Sequence, residues 1–462
     1  MTPPGKALTC WTSPGIGTTA RVLGLFSSMP TTRRRTRTAT LGSGSQIIIT
    51  ARSSGRVPWP VPAPIIWEPC PSLPRGKENR YQNRPSMSRG TDKKRVKKTI
   101  RYDNLWEQVV NFENMYAAYL EASRGRRYKN EIMGVGKRVE AVIYQMIFEL
   151  NTGTWQPQTY YEFECRTEVK RRIINAPTFR DRIFHHSLDR IVRPLFEKKY
   201  IYDSYACIIG KGAHAAVQRV KKFLRIARHS GNVYILQCDI HHYYQSIDHE
   251  ILKREISRTI KDKRLLEAWG LVIDRFNEDT GKGIPIGALT SQLAANIYLN
   301  PFDHFVKECM KAHFYVRYMD DFVIISNDKK ELRKNLADIH WFLETQLKLE
   351  LNPKTRIYQA SQGVDFCGYR TWSTHILPRK RNIKAAKKRF QRLSRKFRRG
   401  EIRVEDARQS VASFLGYCKH CNAYVTVQAT LNRLVLTRTP KKEEEKQHGK
   451  NSTHHDDHGK SD

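Results

Sequence analysis

Two short apolar segments end in or enclose carboxylates, and they limit the fold more than any other feature of the chain. Residues 232–240 read Asn-Val-Tyr-Ile-Leu-Gln-Cys-Asp-Ile, a β-rich run that closes on Asp239. Residues 314–326 read as a strand pair, apolar on both flanks and polar at the centre, where Tyr318-Met319-Asp320-Asp321 places Asp320 81 residues beyond Asp239. If these strands are neighbours in one antiparallel sheet, Asp239, Asp320 and Asp321 converge at one edge. Three carboxylates repel one another unless a cation intervenes, so hard divalent ions with oxygen ligands suit such an edge. Two ions about 3.5–4 Å apart can activate a hydroxyl and stabilise a leaving pyrophosphate, the two-metal route of nucleotidyl transfer. Taken singly, Asp320-Asp321 reads as an Asx turn and Asp239 as a strand-end cap. The flanking residues decide between these readings.

Charge points the same way. The chain holds 82 Lys and Arg against 45 Asp and Glu, a formal charge of +37, which calls for a polyanionic partner. Hydrophobic residues at 39% suffice for a core, so a wholly disordered basic tail is excluded. No apolar run reaches the roughly 18 residues that a membrane span needs. Nine cysteines are scattered, and Cys418 and Cys421 form a Cys-x-x-Cys pair with no second pair to complete a zinc site, a pattern that fits a reducing compartment.

Composition divides the chain into four parts. Residues 1–95 are rich in Pro, Ser, Thr, Gly and Arg, with no acid before Glu68, and are expected to be a disordered leader. An over-long gene model with translation starting at Met87 ranks first as its explanation. The Arg33, Arg34, Arg35, Arg37 cluster also suits an organelle transit peptide, although repeated prolines spoil an amphipathic helix there. Residues 96–375 form the main body, 376–436 a helical region, and 437–462 a polar tail whose His454, His455 and His458 read as solvated. In the main body Leu105, Val109, Phe112, Tyr116 and Tyr119 lie on one helical stripe, and Val139, Val142, Ile143, Met146, Ile147 and Leu150 on another.

With these motifs in order, the chain resembles the reverse transcriptases. Asp239-Ile240-His241-His242-Tyr243-Tyr244 and Tyr318-Met319-Asp320-Asp321 look like motifs A and C. Lys170-Arg171-Arg172-Ile173-Ile174-Asn175-Ala176-Pro177 resembles the fingers segment of bacterial and group II intron enzymes, and Gly363-Val364-Asp365-Phe366-Cys367-Gly368-Tyr369 the primer-grip hairpin. The resemblance implies an α+β right-hand polymerase with fingers, an antiparallel-sheet palm and a helical thumb. One segment separates subfamilies. Ile286-Gly287 followed by Ser291-Gln292 is similar to the form carried by reverse transcriptases of diversity-generating retroelements, where group II intron enzymes typically read Gln-Gly and Ser-Pro. Tyr102-Asp103-Asn104-Leu105-Trp106 and Tyr200-Ile201-Tyr202-Asp203-Ser204-Tyr205-Ala206-Cys207 resemble the same group.

The resemblance implies roles. Asp239 and Asp320 would hold two Mg2+ ions with the backbone carbonyl of Ile240, and Asp321 would be a secondary ligand. Tyr244 matches the aromatic steric gate, with a core aromatic as its plain alternative. Arg172 matches the residue that clamps the triphosphate, a task suited to a guanidinium. Gln292 would lie beside the incoming base with Ile286 and Gly287, and in the family this Gln and the residue at Ile286 are linked to poor discrimination opposite template adenine. Lys354 resembles the motif D lysine that protonates pyrophosphate, and reads equally as a surface lysine.

Residues 379–399 hold twelve Lys or Arg and no acid, while Ile383, Ala386, Phe390, Leu393 and Phe397 recur on one helical stripe. One face therefore packs and the other is a cationic ridge, with Arg379, Lys380, Lys384, Lys388, Arg392 and Lys396 suited to track a template–primer backbone. A second thumb helix is expected over 404–424, with Ser413, Gly416 and His420 on the family pattern.

The resemblance implies a cytoplasmic, bacterial or phage-encoded RNA-directed DNA polymerase of a diversity-generating retroelement. It would copy template RNA into adenine-mutagenised cDNA from dNTPs, helped by a basic pentameric accessory protein of helical-barrel form. The alternatives are a group II intron-type or other bacterial reverse transcriptase of ordinary fidelity, and a non-catalytic basic RNA-binding protein.

Overall fold

The computed structural model describes residues 101–165, 172–277 and 279–438. The expectations for the leader, for Lys170 and Arg171, and for the tail beyond residue 438 lie outside the described residues. The chain divides into two compact units, one running to Leu377 and the other from Pro378.

The first unit opens with α1 (Trp106–Val109) and α2 (Phe112–Ser123). The apolar stripe through Leu105 and Tyr119 predicts a single helix, and the structure breaks it. Val110 leaves helical geometry at φ −102, ψ 60, and Asn111 caps a new start by accepting the Asn114 amide at 2.8 Å. A short α3 (Asn130–Gly136) precedes α4 (Val139–Thr152), which buries Ile143, Met146 and Leu150 and stops at left-handed Gly153. The strands β1 (Tyr161–Cys165) and β2 (Arg172–Ala176) pair antiparallel, and α5 (Phe179–Glu197) follows, packed on α2.

After α6 (Ala213–Arg228) the chain enters β3 (Tyr234–Asp239). The short α7 (Tyr243–Ser246), α8 (His249–Ser257) and α9 (Lys263–Asp274) lead to α10 (Leu289–His304). Then β4 (Tyr315–Tyr318) and β5 (Asp321–Ser326) form a hairpin, followed by α11 (Lys329–Leu347) and β6 (Arg356–Gln359). These four strands build an antiparallel sheet in the order β4-β5-β3-β6, at the place where the resemblance implies the palm. Period-two alternation sorts their side chains between two cores. Leu236, Cys238, Tyr315, Phe322 and Ile324 join the core that includes α10 and α11, whereas Ile235, Val316, Val323 and Ile325 join Val220, Phe223 and Leu224 of α6.

A smaller sheet holds β7 (Val364–Phe366), β8 (Tyr369–Thr371) and β9 (Ile376–Pro378). Its first turn, Cys367-Gly368, has φ of 48° and 87°, the mirror-image turn that matches strand twist.

The second unit contains α12 (Lys380–Arg398), α13 (Val404–Cys418) and α14 (Tyr424–Leu431). Ile383, Ala386 and Phe390 are buried in one core with Val411, Phe414, Cys418 and Leu434. The helix expected over 404–424 ends at Cys418, and the next one starts at Tyr424. The chain between Cys418 and Tyr424 offers Lys, His, Cys, Asn and Ala, with too little apolar surface to continue the stripe, so His420 lies in the connection rather than on a helix.

Candidate active site

Each palm carboxylate is placed by strand geometry. In β3, Ile235, Gln237 and Asp239 share a face, and in β5 Ile325, Val323 and Asp321 share the same one. Register sets Asp239 directly opposite Asp321, so this face is apolar at one end and doubly acidic at the other. Opposed like charges cost stability, so the pair is held by the surrounding ladder rather than by its own contact. Asp320 lies in the turn between β4 and β5, where Tyr318 pairs with Asp321 and Met319 adopts φ 56°. A left-handed φ on a side chain as large as Met is strained, and such strain persists only where neighbours impose it.

The neighbour is Arg317, which is fully buried. It donates to the Met319 carbonyl at 3.1 Å and to Asn296 Oδ1 at 3.3 Å, and grips Asp303 with Nε–Oδ1 of 2.7 Å and Nη2–Oδ2 of 2.6 Å. Tyr315 donates its hydroxyl to the same Asp303 oxygen at 2.7 Å. Burial works against the Arg317 charge, but the Asp303 carboxylate outweighs it and holds the guanidinium above its usual range. The strand motif contained the signal for this pair, because an Arg at a core-facing strand position demands a buried partner.

Asp239 is fixed from the other side. Asn352 donates its amide side chain to Asp239 Oδ2 at 2.9 Å and its backbone N–H to the Asp239 carbonyl at 2.7 Å. The Asn352 side-chain oxygen in turn accepts the Lys354 amide at 3.1 Å, which shapes the turn that carries the exposed Lys354. Ile240 bridges Leu351 through bonds that use the Asp239 carbonyl and the His241 amide, leaving the Ile240 carbonyl outside that bridge.

Tyr244 sits on α7, half-buried, with its hydroxyl 3.9 Å from Met319 Sδ. It thereby touches the turn that carries Asp320. Tyr243 is the core aromatic of the pair, buried with its hydroxyl on the Ala295 carbonyl. Arg172 opens β2 opposite Cys165. The Ile286 carbonyl accepts the Asn175 amide at 2.9 Å, which joins β2 to the loop that carries Gly287. Gly287 has φ 130°, and a Cβ there would lie 2.8 Å from Ile174 Cγ2 and 3.1 Å from the Asn175 carbonyl oxygen. Glycine is required by both the backbone and the close approach. From Thr290 onward α10 is buried but for half-buried Pro301 and exposed Gln292.

The structure thus brings Asp239, Asp321 and the Asp320 turn to one sheet edge, with Tyr244 beside that turn, and ties β2 to the Ile286–Gly287 loop. Arg379, Lys380, Lys384, Lys388, Arg392 and Lys396 belong to the other unit, where Lys380, Lys384, Lys388, Arg392 and Lys396 are exposed on α12 and Arg379 is its N-cap. Among the described residues, no group of three or more His, Cys, Asp or Glu side chains is gathered closely enough to hold a metal ion. The donors at the palm edge are all oxygen, from carboxylates and a backbone carbonyl, and such a set fits a hard divalent cation.

Residues 166–371 match the family of reverse transcriptases, described as RNA-dependent DNA polymerases. The chain therefore carries a reverse transcriptase domain over those residues. Among its relatives it is 26% identical over 262 residues to protein YkfC of Escherichia coli K12, covering 48% of this chain and 69% of that protein. It is 24% identical over 344 residues to the group II intron-encoded protein LtrA of Lactococcus lactis, covering 58% of this chain and 56% of that one. Among solved structures, telomerase of Candida albicans in complex with a fragment of telomeric RNA aligns at TM-score 0.37 and 13% identity, covering 51% of this chain and 49% of that one. Apo telomerase of Candida tropicalis aligns at TM-score 0.35 and 14% identity, covering 47% and 54%. Among the described residues no helix is long and apolar enough to cross a membrane.

Proposed function

We propose that this chain is the reverse transcriptase of a diversity-generating retroelement, which copies a template RNA into cDNA with errors at adenines. The observation that carries the subfamily is the Ile286-Gly287 and Ser291-Gln292 segment. Gln292 is the exposed side chain at the start of an otherwise buried helix, and Ile286 is bonded to the fingers strand. A side chain so presented can contact a nucleotide without disturbing the core. Asp239, Asp320, Asp321 and the Ile240 carbonyl would hold two Mg2+ ions, which supply activation of the primer hydroxyl and charge neutralisation at the leaving pyrophosphate. Tyr244 would exclude a ribose 2′-hydroxyl, and Arg172 would clamp the triphosphate. Lys354 would protonate the leaving group, and the exposed face of α12 would carry the template–primer backbone. A basic accessory protein remains a partner expected from the resemblance.

A second reading, a group II intron-type reverse transcriptase of ordinary fidelity, is favoured by the similarity to LtrA. The two separate by sequencing cDNA made on a defined RNA. Errors concentrated opposite template adenine, reduced when Ile286 and Gln292 are changed to the Gln and Pro of the intron form, support the retroelement reading. A flat error spectrum overturns it. For the chemistry, Asp320→Ala should abolish DNA synthesis with Mg2+ and leave RNA binding intact, and synthesis that survives the substitution sinks the site assignment.

A further inference from the structure

Helix α6 lies outside the carboxylate site, and its charge is unabsorbed by the mechanism. Residues 204–238 contain six Lys or Arg and no Asp or Glu. Within α6 the inner positions Ala216, Val217, Val220, Phe223, Leu224 and Ala227 are buried, while Lys222, Arg225 and Arg228 are exposed on the outside. The helix packs on β4, β5 and β8, with His214 2.9 Å from the Tyr369 hydroxyl near its start. Near its end, Asn327 donates to the Ala227 carbonyl at 3.0 Å. It therefore runs from the β7–β8 hairpin to the end of β5 remote from Asp321.

At the start of this face stands a cation–aromatic cluster. Tyr202 is 69% exposed, with Lys211 Nζ 5.1 Å and Arg219 Cζ 5.0 Å from its ring centre. Lys211 is anchored on the carbonyls of Tyr202 and Ser204 at 2.6 and 2.9 Å. Arg219 and Lys307 converge on the buried Asp203 at 2.7 and 2.9 Å. One carboxylate thus organises two cations and fixes the exposed tyrosine beside them, with Ile209 exposed in the same loop. A rigid exposed aromatic continuous with an acid-free basic ridge has the chemistry that contacts polynucleotides, since rings meet bases and cations meet phosphates. From Arg219 to Arg228 the ridge extends about 14 Å at ~1.5 Å per residue, long enough to follow several phosphates.

We propose that the outer face of α6, with Tyr202 at its head, is a second RNA-binding surface that holds template RNA outside the template–primer duplex. This rests on the polymerase reading for the identity of the RNA, and the test separates the two. The full chain is first saturated with a short RNA–DNA template–primer, and fluorescein-labelled transfer RNA is then titrated as the probe at several salt concentrations. The triple variant Lys222→Gln, Arg225→Gln, Arg228→Gln should weaken this binding and lower the slope of log affinity against log salt by about two, given ~0.7 per single-strand phosphate contact. Its extension of the short template–primer should be unchanged. Tyr202→Ala should weaken transfer RNA binding without changing the salt slope.

Unchanged affinity and slope in the triple variant overturn the proposal. So does displacement of the probe by polyglutamate as effective as by unlabelled RNA, which assigns the face to an acidic polypeptide. Loss of short-template extension in a folded triple variant also overturns it, by placing the face in the substrate path. A wild-type protein that makes no DNA on any template instead defeats the polymerase reading and leaves the binding result to stand by itself.

Discussion

Asn352 holds Asp239 twice, once by its side chain at 2.9 Å to the carboxylate and once by its backbone N–H at 2.7 Å to the carbonyl. Both the position and the orientation of the β3 carboxylate therefore depend on a residue 113 positions away. Partners of metal-binding carboxylates typically matter by 10–100-fold in affinity or activity. Asn352→Ala is expected to lower DNA synthesis by roughly that factor and to raise the Mg2+ concentration needed for half-maximal rate, with the circular dichroism spectrum retained. A variant with wild-type Mg2+ dependence would remove Asn352 from the site.

Arg317 connects the palm core to the strained turn. Removing it leaves Asp303 buried and without its guanidinium, which is expected to cost about 3–5 kcal/mol. Replacing both partners by apolar residues of similar volume, Arg317→Met with Asp303→Leu, should recover most of that stability, because buried pairs are often neutral against well-packed hydrophobes. It should not recover activity, since the 3.1 Å bond to the Met319 carbonyl is still missing. Thermal melts and primer extension on the single and double variants provide the check. A stable double variant with full activity would reduce the pair to a packing role.

The parts of the fold that the sequence made legible are those with a period. Residues 232–240 and 314–326 alternate as strands and fold as β3 and the β4–β5 hairpin, and the stripe through Ile383, Ala386 and Phe390 folds as the buried side of α12. The breaks were not legible, because periodicity runs on through Val110 while the cap chemistry of Asn111 ends one helix and starts the next. The motifs singled out Asp239, Asp320 and Asp321, which the fold brings to one sheet edge, but not what holds them there. Asn352 and Asp303 act across long sequence separations, and neither breaks a local pattern. Arg317 does break one, since a charge inside an apolar strand is costly unless paired, and that violation was a signal of the ion pair that the motif reading passed over.

Gly287 joins the Ile286–Gln292 segment to the β1–β2 hairpin. At φ 130°, with Ile174 Cγ2 2.8 Å from any added Cβ, Gly287→Ala must push β2 and the loop apart. The strain is of order 1–3 kcal/mol, and the Asn175–Ile286 hydrogen bond is the nearest contact to yield. The expected result is a raised KM for dNTP with a smaller change in kcat, measured by steady-state single-nucleotide extension. An unchanged KM would show that this loop is not part of the nucleotide pocket.

His185 links stability to pH beneath the same helix. Burial pushes its pKa down to about 3, assisted by His186 and Arg182, and its Nδ1 lies 3.2 Å from Thr290 Oγ1 in the first turn of α10. In the unfolded chain the ring titrates near pH ~6.5. Between these values the unfolded state binds a proton that the native state refuses, so stability rises with pH and is lost on acidification. The loss amounts to about 1.4 kcal/mol per pH unit below ~6.5, and it stops where the native ring titrates. The buried carboxylates Asp181 and Asp189, whose pKa values burial raises, act with the opposite sign. The difference between wild type and His185→Gln therefore isolates the histidine. Melting temperatures from pH 7 to pH 4 should fall more steeply for the wild type than for His185→Gln, and parallel curves would show that the ring takes its proton in the folded state.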